Sequence, residues 1–294
     1  MSDFHGLPTH VIENEHLRVE ALATAGPRIV RLMLAGSQAN MLVEQPHKNW
    51  QTPNGIFNIR GGHRLWHAPE LFPRTYHPDN EGLTVEVLAD GAALRGPVEA
   101  GTGIRKTMTL RLAATSPALH ICHELTNAGA WAVDLAPWAI TQVPVGGVAL
   151  LPLAGPALEN KLLHDRQIML WPYTRLDDAR LQIEDDLISV EARADLQPSK
   201  VGAFARRGWI AYLRDELLLI KRFTPQIGKP HPDGGCNIEC YVDEYNLEIE
   251  SLAPLVRLEP GQSVTHDETW EVRRVPGVAA THAGARQVFA LIDG

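Results

Sequence analysis

The sequence has no basic block, no long apolar run and no cysteine framework, and each absence removes a class of function. Its 27 Lys and Arg against 35 Asp and Glu give a formal net charge of -8, with no local cluster of cations to offset it. Nucleic acid and anionic membrane surfaces are held by concentrated positive charge, so neither is expected as the main partner. No apolar stretch approaches the ~20 residues that span a bilayer. Met1 to Gly6 shows no basic stretch followed by an apolar one, and the expected location is cytoplasmic. The three cysteines, Cys122, Cys236 and Cys240, are too few and too irregularly spaced for a disulfide scaffold or a structural zinc site, so reduced core thiols are expected. No metal or other cofactor is implied.

Long helical periods are also scarce. What is present is a succession of short runs with alternating or β-branched character, punctuated by Gly, Pro, Asn and Asp. They fall at Val11 to Leu22, Pro27 to Leu34, Leu83 to Leu88, Ile104 to Leu112 and Ala118 to Thr126. The pattern resumes at Leu181 to Val190, Trp209 to Leu213, Leu217 to Phe223, Asn237 to Val242, Asn246 to Leu252 and Ser263 to Val272. Runs repeating about every 10 residues predict an all-β chain folded as a large antiparallel β-sandwich with few short helices. The expected helix is Ala285 to Ile292. The Pro-rich stretch from Gly146 to Pro156 is a candidate seam between two halves, but a sheet protein of this length forms one domain, taken here as 1–294.

Chemistry concentrates in two places. Asn58 to Glu70 places Arg60, His63, Arg64, Trp66, His67 and Glu70 around the glycine pair Gly61 and Gly62. Paired glycines permit positive φ and close backbone approach, a setting in which flanking cations and imidazoles can meet a small polar ligand. A structural turn, with its arginines paired and Trp66 in the core, is the equal alternative. The second place runs from Lys229 to Pro254. Side chains two apart on a strand share a face, so Asn237, Glu239 and Tyr241 project together, as do Asn246, Glu248 and Glu250. On an open sheet these faces would be solvated; lining a cleft, their carboxylates could act in proton transfer.

Several segments resemble galactose mutarotase-like proteins, the superfamily of aldose 1-epimerases and hexose-6-phosphate mutarotases. Gly26, Pro27, Arg28 and Ile29 are similar to an early strand of that group. Ile59 to Gly62, followed by Pro69 and Phe72, resembles the Arg-Gly-Gly motif of hexose-6-phosphate mutarotases. Glu250 to Pro254, Leu258 to Ser263 and Glu268 to Trp270 resemble the closing strands of aldose 1-epimerases. The chain as a whole looks like a poorly characterised bacterial family of this fold.

The resemblance implies a β-supersandwich with a cleft for a sugar or sugar phosphate, and anomer interconversion by a glutamate base and a histidine acid. Glu250 matches the base, with Glu248 the alternative two residues away. The acid histidine has no counterpart in the corresponding stretch, Asn127 to Thr141, where Trp138 offers a platform for a sugar ring instead. His63 and His67 are then the candidate acids, with Arg60, Arg64, Trp138, Glu239 and Glu248 as substrate-binding candidates. Two other functions remain open: a carbohydrate-binding protein without catalysis, and a metal-assisted enzyme acting on a sugar acid or glycoside, with His63, His67 and Glu70 or Glu239 as donors.

Overall fold

The computed structural model describes residues 2–153, 165–194 and 197–293. Two large antiparallel sheets face one another. The first has eleven strands, ordered Ser2–Phe4, Leu7–Glu13, Leu17–Leu22, Arg28–Leu34, His63–Ala68, Val133–Pro144, Asn246–Leu252, Ile238–Val242, Ser199–Ala203 and Ile168–Leu170, with Val256–Leu258 paired to Val133–Pro144. The second has ten, ordered Leu181–Ile183, Leu187–Glu191, Val148–Pro152, Trp209–Arg214, Leu217–Phe223, Ser263–Arg274, Ala118–Asn127, Ile104–Leu112, Gly91–Val98 and Thr84–Leu88. A hairpin of Glu44–Thr52 and Gly55–Gly61 stands apart from both. The His282–Asp293 helix packs Ala285, Val288 and Phe289 against Trp209, Leu213 and Leu218 on the second sheet. Among the described residues no helix is long and apolar enough to cross a membrane.

The all-β antiparallel sandwich agrees with the sequence pattern, and the strand ends show where the pattern misleads. Val11 to Leu22 is two strands, because the Asn14 side chain accepts from the backbone amides of His16 and Leu17 and turns the chain. Leu181 to Val190 is likewise two short strands. The candidate seam ends beyond Leu153; its residues 154–156 lie outside the described residues.

Strand alternation in the first sheet sorts the chemistry. From one strand, Leu65 joins the core between the sheets while Trp66 and Ala68 join a separate apolar cluster on the outer face with Phe57, Ile59, Trp138 and Leu252. Leu247 and Ile249 likewise point inward, which sends Asn246, Glu248 and Glu250 outward. The registers align residues in rows across strands. One row reads Lys200, Tyr241, Glu248, Gln142; the next reads Gly202, Glu239, Glu250, Ile140, Arg64.

Candidate active site

On the outer face of the first sheet lies a cleft of about 520 Å³, floored by strand residues Arg64, Trp66, Trp138, Gln142, Lys200, Tyr241 and Glu248. Trp50, Tyr76, Trp171 and Tyr173 add aromatic walls. Trp66 meets Trp138 edge-on at 5.5 Å between ring centroids and Tyr76 at 4.9 Å, so the rings brace one another. The Glu44–Thr52 and Gly55–Gly61 hairpin supports this end: Phe57 packs on Trp50, Trp66 and Tyr76.

The electrostatic centre is Lys200. Its Nζ lies 2.6 Å from Glu239 Oε2 and 3.1 Å from Glu250 Oε2, and sits over the rings of Trp138 and Trp171 at 4.8 and 4.7 Å. Glu250 Oε2 also accepts from Trp138 Nε1 at 2.7 Å. Burial by itself would lower the ammonium's pKa, but the two carboxylates outweigh it and hold Lys200 well above its ordinary value. One ammonium balances one carboxylate. Burial, together with the neighbouring carboxylates, pushes Glu239 and Glu250 upward, Glu239 more strongly, so of the two Glu239 is the readier to take a proton beside Lys200. Gly202 makes room for this packing: a Cβ there would meet Cys236 Sγ at 2.7 Å, Glu239 Cγ at 3.2 Å and Trp171 at 3.3 Å.

Glu248 faces the cleft. Its Oε1 accepts from Arg64 at 3.1 Å and from Gln142 at 2.7 Å, and the Arg64 guanidinium lies over Trp66 at 4.4 Å. Among the described residues every cation in the lining is paired, since Lys48 contacts Asp243 at 3.3 Å. Glu70 accepts from the hydroxyl of Tyr76.

Of the residues singled out in the sequence, Arg64, Trp138 and Glu248 line the cleft, and Glu239 and Glu250 lie fully buried beneath it. The three others are elsewhere. His63 and His67 share a face, as expected, but it is the face toward the other sheet. His63 bonds Thr141 Oγ1 at 2.9 Å and His123 Nε2 at 2.8 Å, and burial holds its pKa well below the ordinary value. His67 is buried 3.5 Å from Glu99, which also pairs with Lys106 at 2.5 Å. Arg60 is tied to Asp79 at 2.6 Å and to Asn80. The glycine pair does adopt positive φ, 80° and 70°, with Gly61 against Val43 O and Gly62 against Ile29 O. Its role is to let the chain turn sharply from the hairpin into the sheet.

His63, His123 and Glu268 bring donor atoms within 4.8 Å of one another, a spacing a metal ion could use. The hydrogen bonds account for these atoms without one. His123 Nδ1 donates to the His266 carbonyl, which leaves its Nε2 to accept from His63, and His63 Nδ1 to accept from Thr141. Glu268 takes Ser251, Trp270 and the ammonium of Lys221 at 3.1 Å. A buried ammonium beside the carboxylate is a poor neighbour for a metal. The proposed combination of His63 and His67 with Glu70 or Glu239 is also not assembled, because those carboxylates are associated with the outer face.

Sequence reasoning missed Lys200, Trp171, Tyr173 and Gln142. The Ser199–Ala203 strand is short, follows Pro198 and contains Gly202, so it carries little strand signal.

Solved structures share this architecture. An Escherichia coli K12 protein provisionally assigned as an aldose 1-epimerase matches with a TM-score of 0.55 at 13% identity, over 92% of this chain and 100% of that one. A galactose mutarotase-like protein from Lactobacillus casei ATCC 334 matches with a TM-score of 0.59 at 10% identity, over 90% and 100%. A TPR-domain containing protein from Parabacteroides distasonis ATCC 8503 matches with a TM-score of 0.63 at 14% identity, over 92% of this chain and 48% of that one. These likenesses show the fold, that of galactose mutarotase-like proteins. The chain belongs to the family described as a domain of unknown function, DUF4380, whose model matches residues 71–273. No curated protein matches the sequence.

Proposed function

We propose that the protein is a carbohydrate-active isomerase that binds a neutral sugar in the Trp66, Trp138 and Trp171 cleft and equilibrates its anomers, with Glu248 as the base. The observation that carries this reading is the meeting, in one cleft of about 520 Å³, of indole faces with a hydrogen-bonded carboxylate and an ammonium. Apolar sugar faces stack on aromatic rings, while a carboxylate held by Arg64 and Gln142 is positioned to take a hydroxyl proton. Glu248 suits the role better than Glu250, which is sealed beneath the floor and engaged by Trp138 and Lys200. Each lining cation already faces a carboxylate, so a phosphate would have to displace an existing partner; this favours a free sugar over a sugar phosphate. We further propose that residues 1–294 form one domain working in the cytoplasm, in keeping with three free cysteines.

The test is the rate of anomer equilibration for freshly dissolved neutral aldoses and their phosphates, followed by polarimetry. Acceleration of a neutral aldose that falls by about 100-fold or more in Glu248→Gln is the expected result. The second reading, a carbohydrate-binding protein without catalysis, draws on the absence of any histidine from the cleft lining among the described residues. It predicts sugar binding with no acceleration.

A further inference from the structure

With both expected histidines turned away from the cleft, the proton donor must come from another residue, and Lys200 at its electrostatic centre is the candidate the geometry favours. We propose that Lys200 is the general acid of the site, donating to the sugar ring oxygen, with Glu239 as its adjacent proton store. This rests on the anomer-equilibrating reading above and adds to it the second catalytic group.

An ammonium has three N–H donors, and Glu239 and Glu250 engage two of them at 2.6 and 3.1 Å. Lys200 lines the cleft with 5% of its surface exposed, and its third N–H is assigned here to a ligand in the cleft. The two indoles and two carboxylates fix the long side chain, which would otherwise lose much of its freedom on binding. Spacing also fits. Glu248 and Glu250 are two residues apart on one strand, about 7 Å, and Lys200 Nζ lies beside Glu250. The O1–C1–O5 edge of a pyranose with one hydrogen bond at each end spans a similar distance.

The step balances as follows. Glu248 takes the proton of the anomeric hydroxyl as C1=O1 forms and the C1–O5 bond breaks. O5 leaves with a proton from Lys200, giving the open-chain aldehyde, a neutral Glu248 and a neutral amine. The Glu239 carboxyl, 2.6 Å from the amine, can return a proton to it. Rotation about C1–C2 and reversal of each transfer closes the ring with the other configuration at C1, and no group is consumed. A strongly basic amine still suffices as acid, because the alcohol formed at O5 is more basic once deprotonated than any amine.

The test is Lys200→Arg, which keeps the charge but not a transferable proton, beside Lys200→Gln/Glu250→Gln, which removes the ammonium with one of its two carboxylates and leaves Glu239, the one that burial pushes up more strongly. Circular dichroism establishes folding of each. Lys200→Arg is expected to lower turnover about 100-fold while changing the half-saturating sugar concentration less than about threefold. The double variant is expected to bind sugar without accelerating equilibration. Lys200→Arg turning over at the wild-type rate, with the wild type active, overturns the assignment of Lys200 alone. A wild type that accelerates no sugar overturns the functional reading and the proposal together.

Discussion

Lys221 ties the sheet that carries the cleft to the sheet behind it, and removing it should loosen both. Its fully buried Nζ lies 3.1 Å from Glu268 Oε1 and donates to the carbonyls of Ile249 at 3.1 Å and Ala139 at 3.3 Å. Those carbonyls flank Trp138, Glu248 and Glu250 in sequence. Burial alone would raise the Glu268 pKa, but Lys221, His123, His266 and Ser251 hold it at about 2 against an ordinary 4.5. Because the folded value lies below the unfolded one, this carboxylate contributes about 3 kcal/mol above pH 5, lost as the pH falls toward 2. Lys221→Met leaves the charge buried without its cation and should cost about 3–5 kcal/mol at pH 7. The defect should shrink in acid, where Glu268 takes a proton. Lys221→Met/Glu268→Gln removes both charges and should recover to within about 2 kcal/mol of wild type. Urea denaturation followed by tryptophan fluorescence measures all three proteins. A single variant within about 1 kcal/mol of wild type, or a double variant no more stable than the single, would refute the reasoning.

Other expectations follow from the same contacts. Gly202→Ala forces a Cβ against Cys236 and Glu239, so it should cost about 1–3 kcal/mol in urea denaturation and weaken sugar binding by calorimetry. His63→Leu breaks the bonds to Thr141 and His123; it should lower the melting temperature yet leave sugar affinity within about twofold, whereas a cleft acid would alter turnover directly. Burial lowers His63, His123 and His266, the last to about 4. Unfolded imidazoles charge near pH 6.5 while these stay neutral, so the urea midpoint should fall as pH drops from about 6.5 toward 4. A midpoint that is flat across that range would contradict the buried neutral network.

The architecture was legible because alternation and turn residues report sheets directly. The two-residue periodicity of Asn246 to Leu252 also placed Glu248 and Glu250 on one face correctly. What the pattern could not tell was which face looked outward. In His63–Ala68 every residue is buried, so no exposed side marked the strand's orientation, and the imidazoles were assigned to the wrong side. The glycine pair signalled its positive φ but not its purpose. Lys200 escaped notice because a lone lysine among Pro198, Ser199 and Gly202 gains significance only when two other strands bring Glu239 and Glu250 beside it. Such a site is a property of register, which single-strand patterns do not carry.

The central claim is that sugar binds in the cleft floored by Trp66 and Trp138, and the seven tryptophans give a direct reading of it. In a ¹H–¹⁵N spectrum, each indole Nε1–H gives its own signal, which can be assigned by single Trp→Phe variants and followed as neutral aldoses are added. The account predicts saturable shifts of Trp50, Trp66, Trp138 and Trp171, which line the cleft, while the buried Trp209 and Trp270 and the exposed Trp131 stay in place. Shifts confined to Trp131, Trp209 or Trp270, or none with any sugar, would contradict it.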